Sequence, residues 1–283
     1  VDEALVAKRR MAAEEAARAA GAVHMRYYGQ GIDRVTKAWR RDFVTQADLE
    51  AQAAVKQVIA SHFPDELVIG EEDDDARERI AGSLDGGCWV TDPLDGTAEF
   101  LHTGTFFASV VSYVEAGVPL AGAIYAPFSD ELYSAAKGQG ALLNGGPLRT
   151  SGATKLEDAM FVASYTAPSA ERAGWFARWL ERVMPNVGGW RMFGSSAMCA
   201  MTIAAGRADV YSPTPEPLTQ EPMLGPPQRP QPWETPAYVL IVQEAGGAVA
   251  NIDGGPPDLL GFNVYAASRE LLGEYLELIR EQE

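Results

Sequence analysis

The chain has 283 residues, of which 47% are hydrophobic, a formal net charge of -16 and two cysteines, Cys88 and Cys199. That apolar fraction supports a sizeable buried core and excludes a disordered chain, while the acidic balance disfavours a general nucleic-acid binder, whose affinity rests on clustered Lys and Arg. Two cysteines in apolar surroundings make neither a disulfide framework nor a zinc spacing, so a reducing cytoplasm is the expected setting. The stretch from Val1 to Arg10 lacks an apolar h-region, and no run of ~18 apolar residues occurs, so neither a signal peptide nor a membrane span is expected.

Leu5, Met11, Ala12, Ala16, Ala19, Ala20 and Val23 fall at helical spacing and predict a first helix stopped by Gly29 and Gly31. A second helix is predicted from Asp48 to His62, ended by Pro64. Two short apolar runs follow: Leu67-Val68-Ile69, delivering Gly70-Glu71-Glu72, and Cys88-Trp89-Val90-Thr91, delivering Asp92. Both read as strands finishing on carboxylates. From Phe106 to Thr150, apolar runs alternate with Gly, Pro and Asp turns, the pattern of an antiparallel meander. Beyond Ser151 strands and helices alternate: strand Met160 to Ser164, helix Ala170 to Val183, strand Trp190 to Phe193, helix Ser195 to Ala205, strand Ala208 to Tyr211. Helix Thr235 to Ala245, strands Ala248 to Ile252 and Val264 to Ala267, and a terminal helix from Arg269 complete the chain. Two halves, 1–150 and 151–283, sharing one cleft are expected. The segment Pro213 to Pro232 carries eight prolines and reads as an extended loop.

The segment Asp92-Pro93-Leu94-Asp95-Gly96-Thr97 concentrates the chemistry. Two carboxylates flank a proline that limits how the turn can move, the Leu94 carbonyl adds a third oxygen, and hard cations such as Mg2+ prefer oxygen ligands. Gly96 lets the backbone approach a ligand closely, and Thr97 opens a short helix whose N–H groups favour an anion such as phosphate. The same string also reads as a surface turn. Glu71, arriving at the end of a neighbouring predicted strand, favours a multi-metal site, although Glu71 to Asp75, and Asp73 to Asp75 above all, also read as a solvated acidic loop. His102 reads as a packing or surface residue and Lys37 as either a phosphate neighbour or a solvated side chain.

Taken in order, Gly70-Glu71-Glu72, Asp92 to Thr97 with Phe100, Trp233, and Glu244-Ala245-Gly246-Gly247 resemble the signatures of the inositol monophosphatase superfamily, over a span from Lys37 and Asp42 to Asp48 through the terminal helix. The resemblance implies an α+β or α/β chain folded as a layered α-β-α-β-α sandwich of the inositol monophosphatase and fructose-1,6-bisphosphatase type. It implies two to three Mg2+ ions: Glu71, Asp92 and the Leu94 carbonyl on one, Asp92 and Asp95 on a second, and Glu71 contributing to a third. Asp48 and Thr97 would orient and activate the attacking water, with Glu71 in the same catalytic set. The bland reading of Asp48 is a helix N-cap. Gly96 and Thr97 would meet phosphate. Asp95 and the turn Gly194-Ser195-Ser196 would meet the rest of the substrate, although Ser195 reads equally as an ordinary N-cap. A phosphate ester as partner, no nucleic acid, no membrane, lithium sensitivity and a homodimer are further expectations.

The match departs from the family in two places. The family's tryptophan is followed by a metal-binding Asp, whereas this chain has Trp233-Glu234; Glu keeps the charge and adds one methylene, and is expected to serve the metal still. The family's inositol-binding Glu falls where this chain has Ser212-Pro213, with Glu216 or Glu221 as possible substitutes. Inositol phosphate is therefore one candidate beside sugar phosphates, histidinol phosphate and nucleotide 3'-phosphates, and Glu99 before Phe100 resembles the nucleotidase branch. The proline-rich segment is expected to border the cleft. The runner-up reading is a catalytically weak homologue serving as a regulatory or protein-binding module.

Overall fold

A computed structural model describes residues 2–31, 34–36, 43–164, 170–213, 231–260 and 264–280. Helix α1 (Glu3–Tyr27) begins at Asp2, whose carboxylate accepts the Ala4 and Leu5 N–H groups. Half of its buried stripe is alanine, and these small side chains let the helix lie close on the sheet beneath, where the Ser109 hydroxyl donates to the Ala17 carbonyl at 2.7 Å. A two-stranded ribbon of β1 (Arg34–Thr36) and β2 (Phe43–Thr45) leads into α2 (Gln46–His62).

The first sheet has seven strands in the order β3-β4-β5-β6-β7-β8-β9. They are β3 (Val68–Gly70), β4 (Cys88–Asp95), β5 (Ala108–Glu115), β6 (Val118–Ala126), β7 (Glu131–Ala136), β8 (Ala141–Leu143) and β9 (Gly146–Pro147). Between β3 and β4 lies α3 (Ala76–Ser83), absent from the sequence reading, and after β4 comes the single turn of α4 (Thr97–Leu101). β3 pairs parallel with β4, and every later neighbour is antiparallel.

The second sheet runs β11-β10-β12-β14-β13. It is built from β10 (Met160–Ser164), β11 (Gly189–Phe193), β12 (Val210–Ser212), β13 (Ala248–Ala250) and β14 (Tyr265–Ala267), connected by α5 (Ala170–Val183), α6 (Ser196–Ala204) and α7 (Thr235–Glu244), with α8 (Leu271–Arg280) last. β10 is parallel to both its neighbours, whereas β14 is antiparallel to β12 and β13.

Three apolar clusters define the layers. On one face of the first sheet Trp89, Val111 and Ala123 pack under α1 and α2. On the other, Val90, Val110 and Ile124 meet α6 and α7, which also take Val162, Tyr211 and Ala266 from the second sheet. The outer face of that sheet, with Phe161, Val210 and Ala267, packs on Trp179 of α5 and Leu272 and Tyr275 of α8. The order is therefore helices, sheet, helices, sheet, helices, as expected. Because the first sheet is covered on both faces, β4 and β5 are buried at nearly every position, unlike a half-solvated antiparallel sheet.

Candidate metal centre

β4 carries the centre because it continues past Asp92, where the strand was expected to finish, and runs through Pro93 to Asp95. Asp92 pairs with Val110 and Asp95 with Ala108, so three steps on β4 oppose two on β5. The extra residue bends the strand and re-aims its carboxylates. Asp92 accepts the Leu94 N–H at 2.9 Å, and the buried His24 of α1 donates from Nε2 to the Pro93 carbonyl at 2.8 Å. Leu94 is anchored among Ala47, Phe100 and Phe107. At Gly96 the chain turns with φ +89°, and a Cβ there would lie 3.0 Å from the Phe106 carbonyl oxygen, so glycine is required on both counts.

Asp48 enters from α2. It is not the N-cap: Thr45 is, and Asp48 sits three positions on, accepting the Thr45 N–H at 2.8 Å and the Thr45 hydroxyl through Oδ2, the reciprocal capping box. Its other oxygen lies 3.5 Å from the Thr97 hydroxyl, which is 3.0 Å from the Leu94 carbonyl. Capping fixes the carboxylate rotamer while leaving Oδ1 turned toward Thr97. Glu71 arrives beside β4 because β3 pairs Gly70 with Thr91, and its N–H donates to the Thr91 carbonyl at 3.0 Å. Its side chain hydrogen-bonds Asp92.

Glu234 stands at the start of α7 with its N–H donating to the Gln231 carbonyl at 3.0 Å, and it is buried at 8% exposure. One carboxylate oxygen each from Asp92, Asp95 and Glu234 lies within 4.8 Å of the others. The extra methylene of Glu234 therefore does not keep it out of the centre. Among the described residues the buried Glu234 Oε2 has no hydrogen-bond partner, and the Ser196 hydroxyl hydrogen-bonds the carboxylate.

From the opposite side, α6 presents its N-terminus to Asp95. The Ser195 hydroxyl and the Ala197 N–H, the latter at 2.8 Å, both donate to Asp95 Oδ2. Ser195 also caps its own helix, accepting the Met198 N–H at 3.2 Å, so the N-cap reading holds and its hydroxyl is occupied by protein partners. Gly194 presses on Glu99, since a Cβ there would sit 1.9 Å from Glu99 Oε1.

Burial is the largest influence on these acids and raises the proton affinity of each. Asp92 is pushed well up by burial, then by the charges of Glu71, Asp95 and Glu234. Glu234 is pushed well up for the same reasons, and Asp95 is raised to about 7 by burial, partly offset by the α6 donors. Clustered acids in a dry site must hold protons or share a cation. An all-oxygen set with one unpartnered oxygen fits a hard divalent ion.

The expected solvated loop at Asp73 is corrected: its side chain is 13% exposed and ion-paired with Lys56 and Arg79, whereas Asp74 and Asp75 are exposed. His102 is exposed, in line with its surface reading. Lys37, Asp42, Glu216, Glu221 and nearly all of the proline-rich segment lie outside the described residues. His24 and Gln52 escaped the sequence reading. The Thr45 to Asp48 capping spacing was the one signal that could have placed Asp48 inside the helix.

Among the described residues no helix is long and apolar enough to cross a membrane. The profile of the inositol monophosphatase family matches residues 6–283. An inositol-1-monophosphatase of Caulobacter vibrioides is 30% identical over 270 residues, 94% of this chain and 98% of that protein. A protein of Salmonella typhimurium named Nus factor SuhB is 29% identical, covering 95% of each chain. Among solved structures, the IMPase of Thermotoga maritima superposes with TM-score 0.78 at 27% identity, covering 95% of both chains. With the ordered motifs folded into a buried acidic centre and a family match over nearly its whole length, this chain belongs to the inositol monophosphatase family.

Proposed function

We propose that the chain is a magnesium-dependent phosphatase that hydrolyses a small phosphate monoester. The observation that carries this reading is the convergence of Asp92, Asp95 and Glu234 on one point, with Glu71 hydrogen-bonded to Asp92. Glu71, Asp92, the Leu94 carbonyl, Asp95 and Glu234 would hold two to three Mg2+ ions. When bound, such ions neutralise the ester's charge and acidify water. Asp48, with Oδ2 tied to Thr45, accepts a proton through Oδ1 by way of Thr97. Gly96 and Thr97 present backbone N–H groups to the phosphate. The N-terminus of α6 fixes Asp95, so Gly194 to Ser196 shape the wall that meets the alcohol part of the substrate. Inositol, sugar, histidinol and nucleotide 3'-phosphates all remain within this class.

The test is phosphate release from a panel of such esters, with magnesium, with chelator and after Asp95→Asn. We expect magnesium-dependent release that chelator abolishes and the variant reduces by at least about 100-fold, the order expected when a preorganised charge is removed from the reacting centre. Lithium is expected to inhibit, and the chain to sediment as a homodimer. The relatives named Nus factor SuhB favour a second reading, a regulatory module with weak catalysis. Absence of magnesium-dependent release across the panel would select it.

A further inference from the structure

Asp73 is tied into the protein by four groups. Its Oδ1 accepts from Gln52 Nε2 at 3.0 Å and from the Lys56 ammonium, and its Oδ2 accepts the Gly70 N–H at 3.0 Å and faces Arg79 at 3.4 Å. Gln52 in turn accepts the Glu72 N–H at 3.0 Å, and the Asp73 N–H closes the turn onto the Gly70 carbonyl at 3.0 Å. A Cβ on Gly70 would lie 2.0 Å from Gln52 Oε1, so the amide is seated directly on the turn backbone. Glu71 is thus held in a four-residue turn whose other three members are all bonded to this network.

The helix supplying Gln52 and Lys56 is α2, and the residue one turn before Gln52 is Asp48. Positions 48, 52 and 56 fall on one stripe of the helix. The same rigid element therefore carries the carboxylate facing Thr97 at one end and the clamp on the Glu71 turn along its length.

We propose that Asp73, clamped by Gln52 and Lys56, is a positioning residue that sets Glu71 against Asp92 and in register with Asp48. The proposal rests on Glu71 being a metal ligand. Groups that orient a ligand from behind typically change metal affinity by about 10- to 100-fold when removed.

The test is calorimetric titration of the full chain with magnesium chloride, without substrate, on the wild type, Asp73→Ala, Asp73→Asn, Lys56→Met and Asp74→Asn. Asp73→Ala is expected to weaken magnesium binding by at least about 10-fold, and the magnesium concentration for half-maximal phosphate release should rise in parallel while kcat at saturating magnesium changes little. Lys56→Met should shift both in the same direction by less. Asp74→Asn, which removes the same charge from an exposed neighbour, should change neither. Unchanged binding in Asp73→Ala, or an equal shift in Asp74→Asn, overturns the clamp. If Asp73→Ala does not fold, Asp73→Asn decides: it keeps an acceptor for Gly70 but loses the charge facing Lys56 and Arg79, and unchanged binding there overturns the clamp as well. A wild type that binds no magnesium, or a Glu71→Gln variant that binds it normally, overturns instead the ligand reading beneath it.

Discussion

Asp95 shows how one carboxylate serves two structures at once. One oxygen is committed to the N-terminus of α6, which favours its charged form, while burial favours its neutral form and leaves it at about 7. In the absence of a cation the centre therefore holds protons near neutral pH, and a divalent ion must displace them. The sign follows: as pH falls from 8 to 6 the proton competes better, so the magnesium concentration needed for half-saturation should rise, by up to about 10-fold per unit for each proton displaced. Titrations in two buffers of different ionisation enthalpy should register proton release at pH 7; pH-independent binding would sink this account. Glu234 permits a second test at this scale. Its backbone is set for the longer arm, so Glu234→Asp should pull an oxygen out of the cluster and raise the magnesium requirement about 10-fold, with Glu234→Gln worse, because it leaves a neutral amide in a site built for charge. If Glu234→Asp instead improved on the wild type, the longer arm would be a defect and not an adaptation.

At the scale of elements, the helix-to-loop contacts matter most. His24 of α1 reaches the Pro93 carbonyl from the far side of the bulge, ringed by Phe100 and Phe107, and burial lowers its pKa from 6.5 to about 4. Between those values the unfolded chain binds a proton that the folded chain refuses. His24's contribution is therefore full above pH 6.5 and is lost as pH falls toward 4, by ~3 kcal/mol in order of magnitude. Denaturant unfolding of the wild type and His24→Leu, both with chelator, should show the stability difference shifting against the wild type on acidification from pH 7.5 to 4.5. A constant difference would mean that His24 already titrates normally in the fold. Much of this layer was legible beforehand. Apolar spacing located α1, α5 and the meander because burial dictates periodicity. The run of β4 through Pro93 was not legible, since proline normally ends pairing and only the bulge makes it tolerable. Nor was the Gln52–Asp73 clamp, because nothing local to either residue says that α2 crosses the turn after β3.

For the whole molecule, the centre is a junction of layers. Asp48 comes from the outer helices, Asp92 and Asp95 from the first sheet, and Glu234 and the Asp95 donors from the two helices shared between the sheets. Motif order in the sequence announced that these residues belong together, but not that α6 and α7 are common to both sheets, a fact fixed by packing such as the approach of Gly122 to the Ala237 Cα, where an added Cβ would find it at 3.4 Å. A cation at this junction binds only the folded chain, because unfolding scatters its ligands across the 164 residues from Glu71 to Glu234. At 100 times its dissociation constant it should stabilise the fold by about 2.7 kcal/mol, or about 4 to 5 °C in Tm for a chain of this length. Asp95→Asn separates this linkage from ordinary stability. It removes a charge that the other buried acids oppose and keeps an acceptor for α6, so the variant without magnesium should melt no lower than the wild type in chelator. Its magnesium-induced rise should nevertheless shrink to a degree or two. Thermal melts of both proteins with and without the ion read the two effects together; a variant that melts lower yet keeps the full rise would show that Asp95 supports the fold and not the cation.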